Sequence, residues 1–167
     1  MMSYVVGLPL LAFAAVLEAT LLPHFRLFGG TVDLVLLLSL NWTLVGEWRG
    51  GPLWALMGGI CLDLLSGGPF GASALGLVLV AYLASLSEGR FWSSHVLLPL
   101  ASVLLGTVVY HVVYLAVLAA TGHSVSWVPS LSQVTLPTVL LNTLLMLPVF
   151  HFARWLHSAL YPATVSL

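Results

Sequence analysis

The sequence predicts an all-α integral membrane protein, a bundle of six transmembrane helices with almost no soluble part. Three observations predict it. Of 167 residues, 60% are hydrophobic and only 5% are charged, whereas a soluble domain carries roughly a quarter charged residues to face water. The mean hydropathy is +1.12. Breaks at polar and Gly/Pro clusters divide the chain into six apolar segments, and a helix of about 20 apolar residues crosses roughly 30 Å of hydrocarbon. Lipid is the solvent that tolerates such a chain.

The first segment, 3–22, stops at Pro23-His24-Phe25-Arg26. No basic stretch precedes it, so Tyr4 to Leu22 reads as a retained helix rather than a removed signal. The second, 31–46, ends in Glu47-Trp48-Arg49-Gly50-Gly51. The third, 52–66, opens on Pro52, a good first-turn residue, and ends near Ser66-Gly67-Gly68-Pro69. The fourth, 71–86, precedes Ser87-Glu88-Gly89-Arg90, and the fifth covers 96–120. After the polar stretch Thr121 to Gln133, a sixth helix covers 134–157. The second to fourth segments are short for clean spans, and a count of five stays open if the third and fourth form a re-entrant hairpin. Residues 1–167 read as a single membrane domain without linker or repeat.

Orientation follows from arginine placement. With both termini in the cytoplasm, Arg49, Arg90 and Arg154 fall inside and Arg26 alone falls outside. Trp48, Trp92, Trp127 and Trp155 lie near segment ends, where interfacial aromatics belong.

The same composition excludes several functions. The net charge is −1 and no basic run exists, so nucleic acid finds no electrostatic footprint. The single cysteine, Cys61, offers neither a disulfide framework nor a CxxC pair. Neither a phosphate-binding glycine loop nor a GxSxG elbow is present, and Gly71-Ala72-Ser73-Ala74-Leu75 falls short of the latter. His24, His95, His123 and His157 lie at segment ends, and no pair has the spacing that places two imidazoles on one helix face. The reading is therefore of no catalytic, metal or cofactor-binding residues.

Polar groups inside a span are costly, and so become functional hypotheses. In the chosen orientation Glu18, Asp33 and Asp63 share the outer half of the bundle, with His24 and Arg26 in the adjoining loop. Asp63 stands ~16 Å into the third helix. His111 is deep, flanked by Tyr110 and Tyr114. The functional reading is a cation, proton or polar-ligand site. The plainer one has Asp63 paired with backbone N–H groups, while Glu18 and Asp33 cap helix ends, Asp33 standing where a helix starts. Asn142 and Thr143 read as interhelical hydrogen-bonding groups, and Pro148 as a kink in the sixth helix. Ala12, Ala15 and Ala19 on the first helix, with Gly58 and Gly59 on the third, form small-residue contacts at which backbones approach closely.

The stretch from Asp33 to Tyr82 resembles the MreD family of the bacterial rod-shape machinery. The resemblance rests on Val32-Asp33-Leu34-Val35-Leu36-Leu37, on Trp42 and the turn Gly46 to Gly51, and on Ala74-Leu75 and Tyr82. Its closest part is Gly58-Gly59-Ile60-Cys61-Leu62-Asp63-Leu64-Leu65-Ser66-Gly67-Gly68-Pro69-Phe70-Gly71. Residue 32 is Val where the family pattern has Pro. The resemblance implies a non-catalytic scaffold of the cytoplasmic membrane that binds the single-span protein MreC. Through MreC it would couple MreB filaments to the glycosyltransferase RodA and a class B penicillin-binding protein, and so organise lateral peptidoglycan synthesis. It also implies a fold similar to the substrate-binding subunits of energy-coupling-factor transporters. The Asp63, Ser66, Gly67, Gly68, Pro69 and Phe70 region is expected to shape a groove for the partner. A competing reading, a vitamin-like ligand-binding subunit of a transporter, rests on that fold similarity and on the intramembrane acids with His111.

Overall fold

A computed structural model describes residues 2–45, 50–86 and 97–160. Six helices make up the bundle among the described residues: α1 (Met2–Thr20), α2 (Leu34–Val45), α3 (Gly51–Ser66), α4 (Ala72–Leu86), α5 (Leu97–Ala120) and α6 (Leu136–Leu160). No strand appears among them, apart from one isolated bridge between Leu27 and Gly30. Glu47, Trp48, Arg49, Glu88, Arg90, Trp92 and His95 lie outside the described residues.

The central element is α2. It packs against α1, α3, α4, α5 and α6, and Val35, Leu36, Leu37, Leu40 and Leu44 are all essentially inaccessible. A helix that is apolar all round belongs in an interior, and the Leu-rich run 34–45 has no polar face to turn outward. Around it, α3 pairs with α4, α4 with α5, and α5 with α6, while α1 packs on the other side of α3.

Length separates two kinds of helix. Val6–His24, Pro99–Ala120 and Trp127–Ala159 are long and apolar enough to cross a membrane by length and composition. The other three have 12, 16 and 15 residues, or about 18 to 24 Å at 1.5 Å per residue. The three short ones are the second to fourth segments, those read from the sequence as short for clean spans. The outward-facing side chains are apolar, among them Phe13, Leu140 and Leu144, as a lipid-facing surface requires.

One boundary differs from the sequence reading. The stretch read as a polar loop to Gln133 is helical from Trp127, with an α turn (Trp127–Pro129) leading into a π turn (Ser130–Thr135) that runs on into α6. Polar side chains here serve the helix instead of breaking it: Ser132 Oγ donates to the Val128 carbonyl at 2.8 Å and Thr135 Oγ1 to the Ser130 carbonyl at 3.3 Å. Polarity signalled a loop, but the hydroxyls bond back along the same chain.

Candidate functional site

The C-terminal ends of α1, α3 and α5 and the N-terminal ends of α2, α4 and α6 meet at one end of the bundle, and each of the three acids there, Asp33 and Asp63 buried and Glu18 half-buried, has a separate task. Glu18 on α1 accepts the Val35 N–H through Oε2 at 2.9 Å. Helix α2 therefore takes its cap from another helix. The expectation that Asp33 caps α2 is corrected by this contact, because the Asp33 side chain points the other way.

Asp33 is joined to α6 at two points. Its N–H donates to Asn142 Oδ1 at 3.0 Å, and its Oδ2 accepts from Asn142 Nδ2 at 3.0 Å. The second Asn142 hydrogen goes to Thr107 Oγ1 on α5 at 3.2 Å, and that hydroxyl donates to the Val103 carbonyl at 2.8 Å. Asn142 is fully buried, and its side-chain amide makes three hydrogen bonds of the four it could make. His111 Nε2 stands 3.3 Å from Asp33 Oδ2, and Nδ1 meets Thr135 Oγ1 at 2.9 Å. This network ties α2, α5 and α6 together. Thr143, expected to bond between helices, donates instead to the Val139 carbonyl of its own helix at 2.7 Å, since only Asn142 of the pair faces α2.

Asp63 closes the α3–α4 hairpin. Oδ2 accepts the N–H groups of Gly71 at 2.9 Å and Ala74 at 3.1 Å, and Oδ1 that of Ser73 at 2.8 Å. These are the orphan donors at the start of α4, where a carboxylate also meets the positive end of the helix dipole. Gly67 ends α3 at φ +65, the left-handed cap that glycine takes without Cβ strain. A Cβ on Gly59 would stand 2.3 Å from Ala74 Cα, so the two helices cross with backbones in contact. A Cβ on Gly58 would stand 2.5 Å from Val35 Cγ1. Ala15 is fully buried on α1, with Ala12 and Ala19 half-buried beside it.

The hairpin turn itself faces outward. Phe70 and Leu64 are each 70% exposed, Leu65 is 45% exposed, and Ser66 is exposed while Gly68 and Pro69 are partly so. Asp63, by contrast, is 5% exposed. The residues expected to shape one groove therefore divide into an inward lock and an outward turn.

Beside the Asp33 network lies a cavity of about 290 Å³ lined by Asp33, Tyr110, His111, Tyr114, Ser130 and Thr135. Leu115 and Val134 complete its wall. The π turn forms one side, and such turns recur where a helix is remodelled for function. No group of three or more His, Cys, Asp or Glu that could hold a metal ion occurs among the described residues.

Sequence reasoning missed a second feature at the opposite end. Trp42 on α2 and Trp54 on α3 stack at 4.0 Å between ring centroids and 10° between planes, with His157 edge-on to Trp42 at 5.8 Å. Trp54 is 1% exposed, and a Cβ on Gly7 of α1 would stand 2.3 Å from its ring. The signal was present in Gly7, a glycine inside a predicted span, but its partner lies in another helix.

Comparison with known proteins places these features in a family. The model of the family described as "rod shape-determining protein MreD" matches residues 1–156. No curated protein and no solved structure matches the chain. The chain belongs to the MreD family, a family of rod shape-determining membrane proteins.

Proposed function

We propose that this MreD-family chain is a non-catalytic scaffold of the rod-shape machinery that binds MreC in the cytoplasmic membrane, with both termini in the cytoplasm. Through MreC it helps to place MreB, RodA and a class B penicillin-binding protein in one complex for lateral peptidoglycan synthesis. The bundle is read as similar to the substrate-binding subunits of energy-coupling-factor transporters.

The observation that carries this reading is the division of the Gly58–Gly71 block. Its one acid, Asp63, is 5% exposed and accepts three backbone N–H groups at the start of the next helix, a structural task within the fold. Its turn, Ser66 to Phe70, is left to face outward with an aromatic at its tip. A rigid backbone presenting an exposed aromatic is a docking geometry, because anchors of that kind dominate interface energetics. Small glycines in the turn let a partner helix approach its backbone.

The test is co-purification of the tagged full chain with co-expressed MreC in mild detergent, followed by size-exclusion chromatography. A stable stoichiometric complex is the expected result. Recovery of the chain alone, or with ATPase subunits in place of MreC, would overturn the scaffold reading in favour of a transporter subunit.

A further inference from the structure

The cavity beside Asp33 shares Asp33, His111 and Thr135 with the interhelical network and has the chemistry of a receptor. Its lining holds one carboxylate, one imidazole and the hydroxyl-bearing residues Tyr110, Tyr114, Ser130 and Thr135, and it holds neither Lys nor Arg. Asp33 is 6% exposed, and both side-chain contacts of its carboxylate fall on Oδ2. Oδ1 carries the other lone pairs of a group that lines the cavity.

The aromatic walls point the same way. Tyr110 and Tyr114 both line the cavity, with ring centroids 6.2 Å apart and planes inclined at 37°, and aromatic rings of this kind attract a cation. The π turn fixes the opposite wall: Thr135 bonds to the carbonyl of Ser130 and to His111, so the polar rim is held in place before any ligand arrives. A carboxylate, two tyrosine rings and a preformed rim of hydroxyls match an organic ammonium group. An anion would meet Asp33 without a compensating arginine or lysine.

We propose that this cavity binds a small organic ammonium group, carried either by a free amine or by an aminophospholipid headgroup. The binding does not depend on the scaffold role, and it is tested without the partner. Purified full-length protein is melted in detergent with ethanolamine or choline, and separately with phosphatidylethanolamine or phosphatidylglycerol. The expected result is a rise in Tm with the amine compounds that gains a constant increment for each tenfold increase in concentration above Kd.

Phosphatidylglycerol, which carries no amine, leaves Tm unchanged. A response to the lipid and to free ethanolamine identifies the ammonium group itself as the ligand. A response to phosphatidylethanolamine alone identifies the lipid headgroup as its carrier. Two variants keep the proposal falsifiable. Asp33→Asn removes the charge while keeping an acceptor for Asn142, and Leu115→Trp fills the cavity without touching the network. Each should abolish the amine response while the protein elutes as a single species. An equal response to phosphatidylglycerol, or an amine response unchanged in both variants, would overturn the proposal.

Discussion

The Glu18 carboxylate on α1 holds the Val35 N–H of α2 at 2.9 Å, so one helix supplies the cap that another lacks. Asp33, one residue ahead of α2, is the side chain that local rules would choose for that task. It is drawn away because α6 offers an amide with a donor and an acceptor in register with the Asp33 N–H and carboxylate. The exchange gives each acid a partner on a different helix.

If Glu18 is the cap, Glu18→Ala should lower stability by about 1 kcal/mol, and Glu18→Gln by less, since the amide oxygen still accepts the Val35 N–H. Thermal melts of the purified protein check this. Equal stability of Glu18→Ala and the parent would return the capping role to Asp33.

Asn142 allows a test of sign. Asn142→Leu leaves the Asp33 N–H without its acceptor and takes one of the two side-chain partners from its carboxylate, and should cost on the order of 2 kcal/mol. Asn142→Asp keeps the shape but sets a second carboxylate against Asp33, so it should be less stable than Asn142→Leu despite being isosteric with the parent. The order of the two Tm values decides the matter.

For Asp63, loss of three backbone donors' acceptor predicts a large effect. Asp63→Leu should destabilise by about 3 kcal/mol or more and reduce the yield of monodisperse protein. Asp63→Asn, which keeps one acceptor oxygen, should fall between. A fully stable Asp63→Leu variant would show that the α3–α4 lock contributes nothing.

Gly59 and Gly67 should fail for different reasons. Gly59→Ala drives a methyl into the backbone of α4, where nothing flexible can give way, and should cost about 1–3 kcal/mol. Gly67→Ala meets open space but keeps φ +65, so about 1 kcal/mol is expected. In Gly106→Ala the contact is with Val80 Cγ1 at 2.9 Å, a side chain, and the cost should be smaller than for Gly59. Melts of the three variants give the ranking.

Phe70 separates docking from folding. Its ring is exposed, so Phe70→Ala should leave Tm within about 0.5 kcal/mol of stability change. Recovery of co-expressed MreC should fall about tenfold, the loss of roughly 1.4 kcal/mol of anchor contact. Undiminished recovery would remove the turn from the interface.

Much of the helical layout was legible in the sequence because its punctuation is physical. Gly50 and Pro52 mark the start of α3, and Ser66 to Pro69 mark its end. Gly122 marks the end of α5 at φ +84. What stayed hidden was of two kinds. The helical turns from 127 to 135 were masked by polar residues whose hydroxyls bond back to their own backbone. The pairing of the acids was masked because each partner is remote along the chain: Asp33 meets Asn142 across 109 positions and Glu18 meets Val35 across 17. Periodicity places a residue on a helix, but it carries no information about which neighbouring helix will face it.

The shortness of α2 bears on how the protein is made. A helix of 12 residues is about 18 Å long and cannot cross a bilayer unaided. Its first turn depends on Glu18, synthesised earlier, and on Asn142, synthesised more than a hundred residues later. A nascent chain that has emerged only as far as α5 therefore lacks the Asn142 acceptor for the Asp33 N–H, and its Asp33 carboxylate has His111 without Asn142. The start of α2 is therefore completed only when α6, the last helix made, docks against it.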